Sequence, residues 1–159
     1  MKKTNTFSDK ELTQKAERYC SYQDRCRSEV KRKLLTWGAR VEQIEQIISY
    51  LKQEKYIDEE RFARSFVRAR YLYKKWGRRK IYAYLKNKEV EDSIVNEALK
   101  EIDEEQYKAN LVHILTKKNE ELSSTLTTFD RKQKLYAFAQ SRGYESYLFS
   151  VISSDLLGS

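Results

Sequence analysis

Proline is absent from this chain of 159 residues, and only four positions carry glycine: Gly38, Gly77, Gly143 and Gly158. Sandwiches, barrels and hairpin-rich sheets need tight turns at short intervals, and those turns depend largely on glycine and proline. A chain so poor in both residues lacks the turn chemistry for such folds. Because 35% of its residues are charged and its apolar residues recur at helical spacing, the sequence predicts an all-α protein.

Three segments of the chain open in the same way, with a helix-capping side chain four residues before a large apolar one. The pairs are Ser8 and Leu12, Asp58 and Phe62, and Asp103 and Tyr107. Each start is followed by three amphipathic stretches, so the pattern predicts three helices that repeat three times. Aligning Val41, Val90 and Tyr144 gives a repeat of about 50 residues, with an insertion expected in the polar run 123–128.

The repeats predict an elongated architecture, because stacked helical units mainly contact their neighbours. We therefore expect three tandem three-helix repeats forming an elongated, curved, right-handed array. The predicted boundaries are an N-terminal tail over 1–7, a first repeat over 8–57, a basic second repeat over 58–102, a third repeat over 103–155 and a C-terminal tail over 156–159.

Positive charge is concentrated in one part of the sequence. The net charge is +8, and eleven basic residues with no acidic residue lie between Arg61 and Lys88, whereas the remainder has 21 basic and 24 acidic residues. Self-repulsion of so many cations opposes folding, so their collection indicates a polyanionic partner. A solvated face with scattered counter-ions is the alternative.

The predicted helix from residue 61 to 73 places Phe62, Phe66, Ala69 and Tyr73 toward the core, with a basic stripe beside them and a bend at Gly77 after it. The principal candidate contacts are Arg61, Arg64, Arg68, Lys74, Lys75, Arg78 and Arg79, and the secondary ones are Arg25, Arg27, Lys31 and Arg32. Among the aromatic residues between these cations, Trp76 is the best candidate for stacking on single-stranded bases, although aromatics at helical spacing are more often core.

Several other functions are disfavoured by the sequence. It contains no glycine-rich phosphate loop, and its one histidine, His113, has no partner at i+4 and is expected to be packed, so we predict no cofactor, no metal and no enzymatic activity. Acidic residues on the predicted recognition helices disfavour a sequence-specific helix-turn-helix reader. Two cysteines and no membrane-spanning apolar run favour a cytoplasmic protein with reduced thiols, a monomer without a membrane partner.

Three stretches of the sequence resemble the RecX family of recombination regulators, bacterial proteins that bind and restrain the RecA recombinase. They are Arg27 to Val30 with Lys33 to Leu35 and Gly38; Tyr56 to Arg68; and Lys75 to Arg78 with Ile81 and Leu85. The resemblance runs from about Tyr19 to Ile102. Three positions depart from the family pattern, since Lys55 and Glu89 stand where glycine is common and Arg78 where proline is frequent.

The resemblance implies a non-enzymatic modulator of three three-helix units that lies in the groove of the RecA filament on single-stranded DNA. It would block filament extension or promote disassembly, and so modulate homologous recombination and DNA repair. Two alternatives stay open at this point. One is a sequence-independent binder of single-stranded nucleic acid, and the other is a helical-repeat scaffold for another acidic protein.

Overall fold

The structure, a computed structural model, describes residues 6–157, and within that range it contains nine α-helices and no strand. The all-α prediction is confirmed. The helices are α1 (Asp9–Tyr22), α2 (Arg27–Thr36), α3 (Val41–Gln53), α4 (Glu59–Leu72), α5 (Arg78–Asn87), α6 (Asp92–Leu99), α7 (Glu104–Glu121), α8 (Thr128–Ser141) and α9 (Ser146–Leu157). Parts of both predicted tails, residues 1–5 and 158–159, lie outside the described range, and Leu156 and Leu157 belong to α9 rather than to a tail.

Three consecutive sets of three helices pack as units: α1 to α3 form unit 1, α4 to α6 form unit 2, and α7 to α9 form unit 3. The predicted caps begin the first helix of each unit. Ser8 forms a capping box with Glu11, and the carboxylates of Asp58 and Asp103 accept the backbone N–H groups of Arg61 and Gln106. These caps satisfy amide groups that a helix start otherwise leaves unpaired.

The units share hydrophobic cores unequally. Unit 1 packs around its own core, which includes the fully buried Leu12, Val30, Leu34 and Leu51. Units 2 and 3 share a single core that runs from Phe62 to Ile152. Units 2 and 3 therefore form one packed body, to which unit 1 is joined largely by polar contacts and by the buried Cys26.

The second helices of the three units follow one another end to end. At the N-terminus of α5, the N–H groups of Gly77 and Arg79 donate to the carbonyl oxygens of Arg142 and Gly143, over 2.6 and 3.0 Å. At the N-terminus of α2, the Ser28 hydroxyl donates to the carbonyl oxygen at the end of α5, over 2.6 Å. The positive end of one helix dipole thus meets the negative end of the next, which is the favourable arrangement.

Gly77 lies at the closest approach of units 2 and 3. We expected this glycine to supply a bend, but its φ of −79° is accessible to any residue. A Cβ atom built at this position would lie 2.3 Å from the backbone of Gly143. Glycine is required there because two backbones touch. The expected bend is therefore not what requires glycine, since the constraint comes from the neighbouring unit.

The same turn ends the second helix of every unit and aligns the repeats. The residue in this turn has a φ of 82° at Gly38, 63° at Glu89 and 89° at Gly143, and each following N–H donates back to the last helical turn. Glu89 follows Gly38 by 51 positions and Gly143 follows Glu89 by 54. Val90 is therefore equivalent to Tyr144, as predicted, but to Ala39 rather than to Val41.

The additional length of unit 3 lies in its helices. Helix α7 has 18 residues where α4 has 14, and α8 has 14 where α5 has 10. Each difference is about one helical turn. The expected insertion at 123–128 is thus wrong, because the connection there is similar in length to the corresponding one in unit 2.

At two of the positions that depart from the family pattern, the backbone conformation explains why glycine is common in the family. Lys55 and Glu89 adopt φ values of 61° and 63°, in the left-handed region that favours glycine. We predict that Lys55→Gly and Glu89→Gly each raise the free energy of unfolding by about 1 kcal/mol, because glycine occupies this region without the steric cost of a Cβ atom. Urea denaturation followed by circular dichroism measures the change. As a control, Ala83→Gly, in the middle of α5, should lower the stability by about as much, and a destabilised Lys55→Gly or Glu89→Gly would contradict the explanation.

Candidate interaction surface

The basic residues of unit 2 divide into those held by internal partners and those without them. Arg61 belongs to the first group: its Nε donates to Asp24 Oδ1 over 2.7 Å, and its guanidinium also contacts the Lys55 carbonyl. Asp24 precedes α2, so this ion pair joins units 1 and 2. Arg25, which lies in unit 1 between α1 and α2, also has internal partners, because its Nε donates to the Tyr19 carbonyl and its guanidinium lies 3.8 Å from the centre of the Tyr19 ring.

Arg78 lies at the joint between units 2 and 3, and its side chain is only 21% exposed. Its backbone N–H donates to the Tyr107 hydroxyl over 2.8 Å, and its guanidinium pairs with Glu145 over 3.1 Å and with Glu104. Tyr107 donates in turn to Glu145, and burial together with this carboxylate raises the pKa of Tyr107. A proline at position 78 could not donate to Tyr107, which accounts for the third departure from the family pattern.

Arg64 and Arg68 lie on α4 beside the acidic residues of α6. Arg64 lines a groove of about 400 Å³ with Glu60, Glu97 and Glu101, but none of them is within ion-pair distance of it. Arg68 Nε is 3.8 Å from Glu101 in a pair that is about half exposed. Contacts of this kind contribute little stability, so both side chains can turn toward another anion.

Three cations at the joint of units 2 and 3 have no ion-pair partner within 4.0 Å in the described part of the chain: Lys74, Lys75 and Arg79. Lys74 and Arg79 are exposed, and Lys75 is half-buried. Lys75 has a φ of 54°, and its carbonyl oxygen accepts the Tyr144 hydroxyl over 2.7 Å. The backbone that carries these charges is thereby anchored to unit 3, while the side chains of Lys74 and Arg79 are exposed.

Trp76 is packed within this region instead of presenting a free ring. Its ring contacts Phe66 and Tyr84 at centroid distances of 6.4 and 4.7 Å, and the Lys80 ammonium lies 4.5 Å from its centre. The Arg70 guanidinium also lies near the ring. These contacts favour a structural role for Trp76, with its faces occupied by the protein's own side chains.

Tyr73 is the aromatic residue that the sequence pattern misplaced. It was expected in the core with Phe62 and Phe66, but its side chain is 82% exposed. Helix α4 ends at Leu72, so the stripe cannot continue to Tyr73, and Tyr71 is buried instead. The two lysines that follow Tyr73 are the sequence signal that this part of the chain lies at the surface and not in the core.

The secondary cations of unit 1 are exposed, with the exception of Arg25. Arg27, Lys31 and Arg32 lie on α2, and no ion pair within 4.0 Å involves their side chains in the described range. They therefore form a second basic surface, on α2 of unit 1.

The histidine and the two cysteines do not come together into a reactive or metal-binding cluster in the described residues. His113 is exposed on α7, where we had expected it to be packed, because the core side of this helix is formed by Tyr107, Leu111 and Leu115. Burial raises the pKa of the Cys20 thiol to about 11 and also raises that of Cys26. Over residues 6–157, no group of three or more metal-ligating side chains comes together, and no helix is long and apolar enough to span a bilayer.

The ion pairs of Arg78 indicate that this residue stabilises the joint of units 2 and 3, and its contribution to the free energy of unfolding can be measured. We predict that Arg78→Ala lowers the free energy of unfolding by about 2 kcal/mol or more, since it leaves Glu145 largely buried without its cation. Arg79→Ala, the matched neighbour, should change stability by no more than about 0.5 kcal/mol. Equal losses for the two variants in urea denaturation would contradict this division of the basic residues.

Comparisons with known proteins agree with this geometry. A family model for the first three-helix domain of RecX matches residues 13–51, and one for its second three-helix domain matches residues 58–99. A regulatory protein RecX from Pelodictyon phaeoclathratiforme is 36% identical over 119 residues, which cover 75% of this chain and 72% of that protein. A second one, from Chlorobium limicola, is 32% identical over 127 residues and covers 79% and 76%.

Solved structures share the fold. The crystal structure of RecX from Lactobacillus salivarius matches with a TM-score of 0.82, covering 93% of this chain and 96% of that one at 24% identity. This agreement extends the similarity beyond the two matched domains into unit 3.

Proposed function

Because the chain belongs to the RecX family of regulatory proteins, we propose that it binds the RecA recombinase filament on single-stranded DNA and inhibits filament extension and activity. In this role the protein modulates homologous recombination and DNA repair through binding, without catalysing a reaction. The filament presents phosphate and acidic protein surface at regular intervals, and a basic surface of fixed geometry complements it.

The observation that carries this proposal is the set of unpaired cations at the joint of units 2 and 3, namely Lys74, Lys75 and Arg79. The joint holds their backbone in place through the bonds from Arg79 N–H to Gly143 and from Tyr144 to Lys75. A charged surface whose backbone is already ordered loses less conformational entropy when it binds. These three residues are therefore the first contacts in the proposal.

The other exposed cations extend the proposed surface. Arg64 and Arg68 contribute from α4, although the acids of α6 partly offset their charge. Arg27, Lys31 and Arg32 add a basic surface on unit 1. Arg25, Arg61 and Arg78 support the surface from within, because their ion pairs and hydrogen bonds hold the ends of helices and the joints between units.

A charge-reversal experiment tests the proposal directly. We predict that Lys74→Glu/Arg79→Glu raises the concentration needed to inhibit RecA-catalysed, DNA-dependent ATP hydrolysis by about tenfold or more, since each reversal replaces attraction by repulsion. The same double variant should fold normally, because both side chains are exposed and lack ion-pair partners within 4.0 Å in the described structure.

The matched control is Lys132→Glu/Lys134→Glu, which makes the same change of charge at two exposed positions of α8. It should leave inhibition nearly unchanged. If both double variants weaken inhibition equally, inhibition depends on the net charge of the protein and not on this surface. If the unaltered protein does not inhibit at stoichiometric amounts, the proposal is overturned.

Direct binding of single-stranded DNA is the second candidate function, and the exposed Tyr73 beside Lys74 favours it. An exposed ring next to a cation can stack on a base of any sequence. If this function operates, Tyr73→Ala should weaken binding to a labelled oligonucleotide in the absence of RecA, and affinity should fall steeply with salt, with a log–log slope near −0.7 for each neutralised phosphate. Fluorescence anisotropy measures both, and strong binding only when RecA is present would exclude this candidate.

A further inference from the structure

Polar side chains link the second helix to the third helix in units 2 and 3. In unit 2 the Tyr82 hydroxyl donates to Asp92 Oδ1 over 2.7 Å, and Lys86 Nζ lies 3.0 Å from the same oxygen. These contacts link α5 to α6. The hydrogen bond with Tyr82 and the ion pair with Lys86 both lower the pKa of Asp92.

Unit 3 uses the equivalent positions for the same purpose. The hydroxyl groups of Tyr136 and Ser146 lie 3.0 Å apart and link α8 to α9. The Gln140 amide donates to Tyr136 over 2.9 Å. Tyr136, Gln140 and Ser146 occupy the positions of Tyr82, Lys86 and Asp92 when the units are aligned on the turns at Glu89 and Gly143.

Unit 1 lacks this polar link. Alignment on the turns at Gly38 and Glu89 places Lys31, Leu35 and Val41 at the three positions that are polar and bridged in unit 2. Lysine, leucine and valine cannot form the bridge, and Leu35 and Val41 are 53% and 64% exposed. Scattered exposed apolar residues are ordinary, but here two of them replace a polar contact that both sister units have.

The open groove of unit 1 has an apolar floor and a basic end. Its volume is about 460 Å³, within the usual range of ligand sites. Leu35 and Val41 flank the short connection between α2 and α3, and Ile44 and Ile48 lie between these helices. The other end of the groove is formed by Arg27, Lys31 and Lys52, with Glu45 as the one acidic residue among the lining side chains.

We propose that this groove binds an acidic amphipathic segment of a partner protein, with aliphatic side chains against Leu35 and Val41 and carboxylates against Arg27, Lys31 and Lys52. Helices that insert a row of apolar anchors into a groove are a common form of peptide recognition. The excess of cations at one end selects an acidic segment and sets its direction. This inference concerns a surface distinct from the joint of units 2 and 3 and does not require that RecA be the partner.

The lining of the groove favours a protein segment over a nucleic acid. It includes cations but no aromatic ring, and single-stranded bases are held mainly by stacking on aromatic side chains. Aliphatic side chains from a partner would instead cover Leu35 and Val41 and remove their apolar surface from water. Arg27 and Lys31, which we also count among the secondary cations, thus acquire carboxylate ligands in this groove.

The decisive variant, which we call the grafted variant, places the polar pair that links α5 to α6 in unit 2 at the equivalent positions of unit 1. Leu35→Lys/Val41→Asp reproduces the pair formed by Lys86 and Asp92, leaves the net charge unchanged and alters two exposed positions. The probe is a short fluorescein-labelled helical peptide with leucines at i, i+3 and i+7 flanked by glutamates, titrated with the protein and followed by anisotropy. We expect a dissociation constant on the order of tens of micromolar for the unaltered protein and at least a tenfold increase for the variant.

The matched control is Val112→Lys/Val151→Asp, which introduces the same two residues at exposed valines of unit 3 and should bind the probe as the unaltered protein does. A second peptide with glutamine in place of glutamate should bind more weakly, as the basic end of the groove requires. Circular dichroism verifies that each variant is folded.

Four results of the binding titrations would overturn the inference. They are the absence of measurable probe binding, equal binding by the grafted variant, equal binding of the glutamine peptide, and displacement of the peptide by a single-stranded oligonucleotide that the grafted variant no longer binds. The last result would assign the groove to nucleic acid. Sedimentation of the free protein adds a further test, since a dimer that the grafted variant abolishes would mean that a second copy of the chain covers the groove.

Discussion

The docking of one second helix onto the end of the next is the contact on which the arrangement of the units depends. The N–H groups at the start of α5 have no partner within their own helix, and the carbonyl oxygens at the end of α8 satisfy two of them. This requires the backbones of Gly77 and Gly143 to touch, which excludes any side chain at position 77. The relative orientation of units 2 and 3 is thereby set by backbone hydrogen bonds and reinforced by their shared core.

The same joint explains why the basic residues differ in role. Arg78 lies inside the joint and is neutralised by Glu104 and Glu145, whereas Lys74 and Arg79 lie at its edge and face solvent. A cation that is paired within the fold contributes to stability and is poorly available to a partner. A cation held at the edge of a rigid joint contributes little to stability and is available at a defined position, which is the property that a filament ligand requires.

Internal repetition makes each unit a reference for the others. All three use the same left-handed turn after the second helix, even in unit 2, where Glu89 replaces glycine. Against this common backbone, polar side chains bridge the second and third helices in units 2 and 3, whereas in unit 1 two of the three equivalent positions carry the exposed apolar residues Leu35 and Val41. Such a local difference on an otherwise shared framework is where a unit can acquire a binding surface of its own.

The sequence alone determined the all-α class, the three starts at Ser8, Asp58 and Asp103, and the concentration of positive charge in unit 2, because capping, helical periodicity and charge depend on nearby residues. Helical periodicity misplaced Tyr73, because α4 ends at Leu72 and the apolar stripe ends with it. Gly77 was misinterpreted because the constraint on it comes from Gly143, which is distant in the chain. Only the tertiary structure decided which arginines are paired, because Asp24 lies 37 positions from Arg61 and Glu145 lies 67 positions from Arg78. Ion pairs and backbone contacts of this range form when whole units dock, and no local pattern encodes which units will meet.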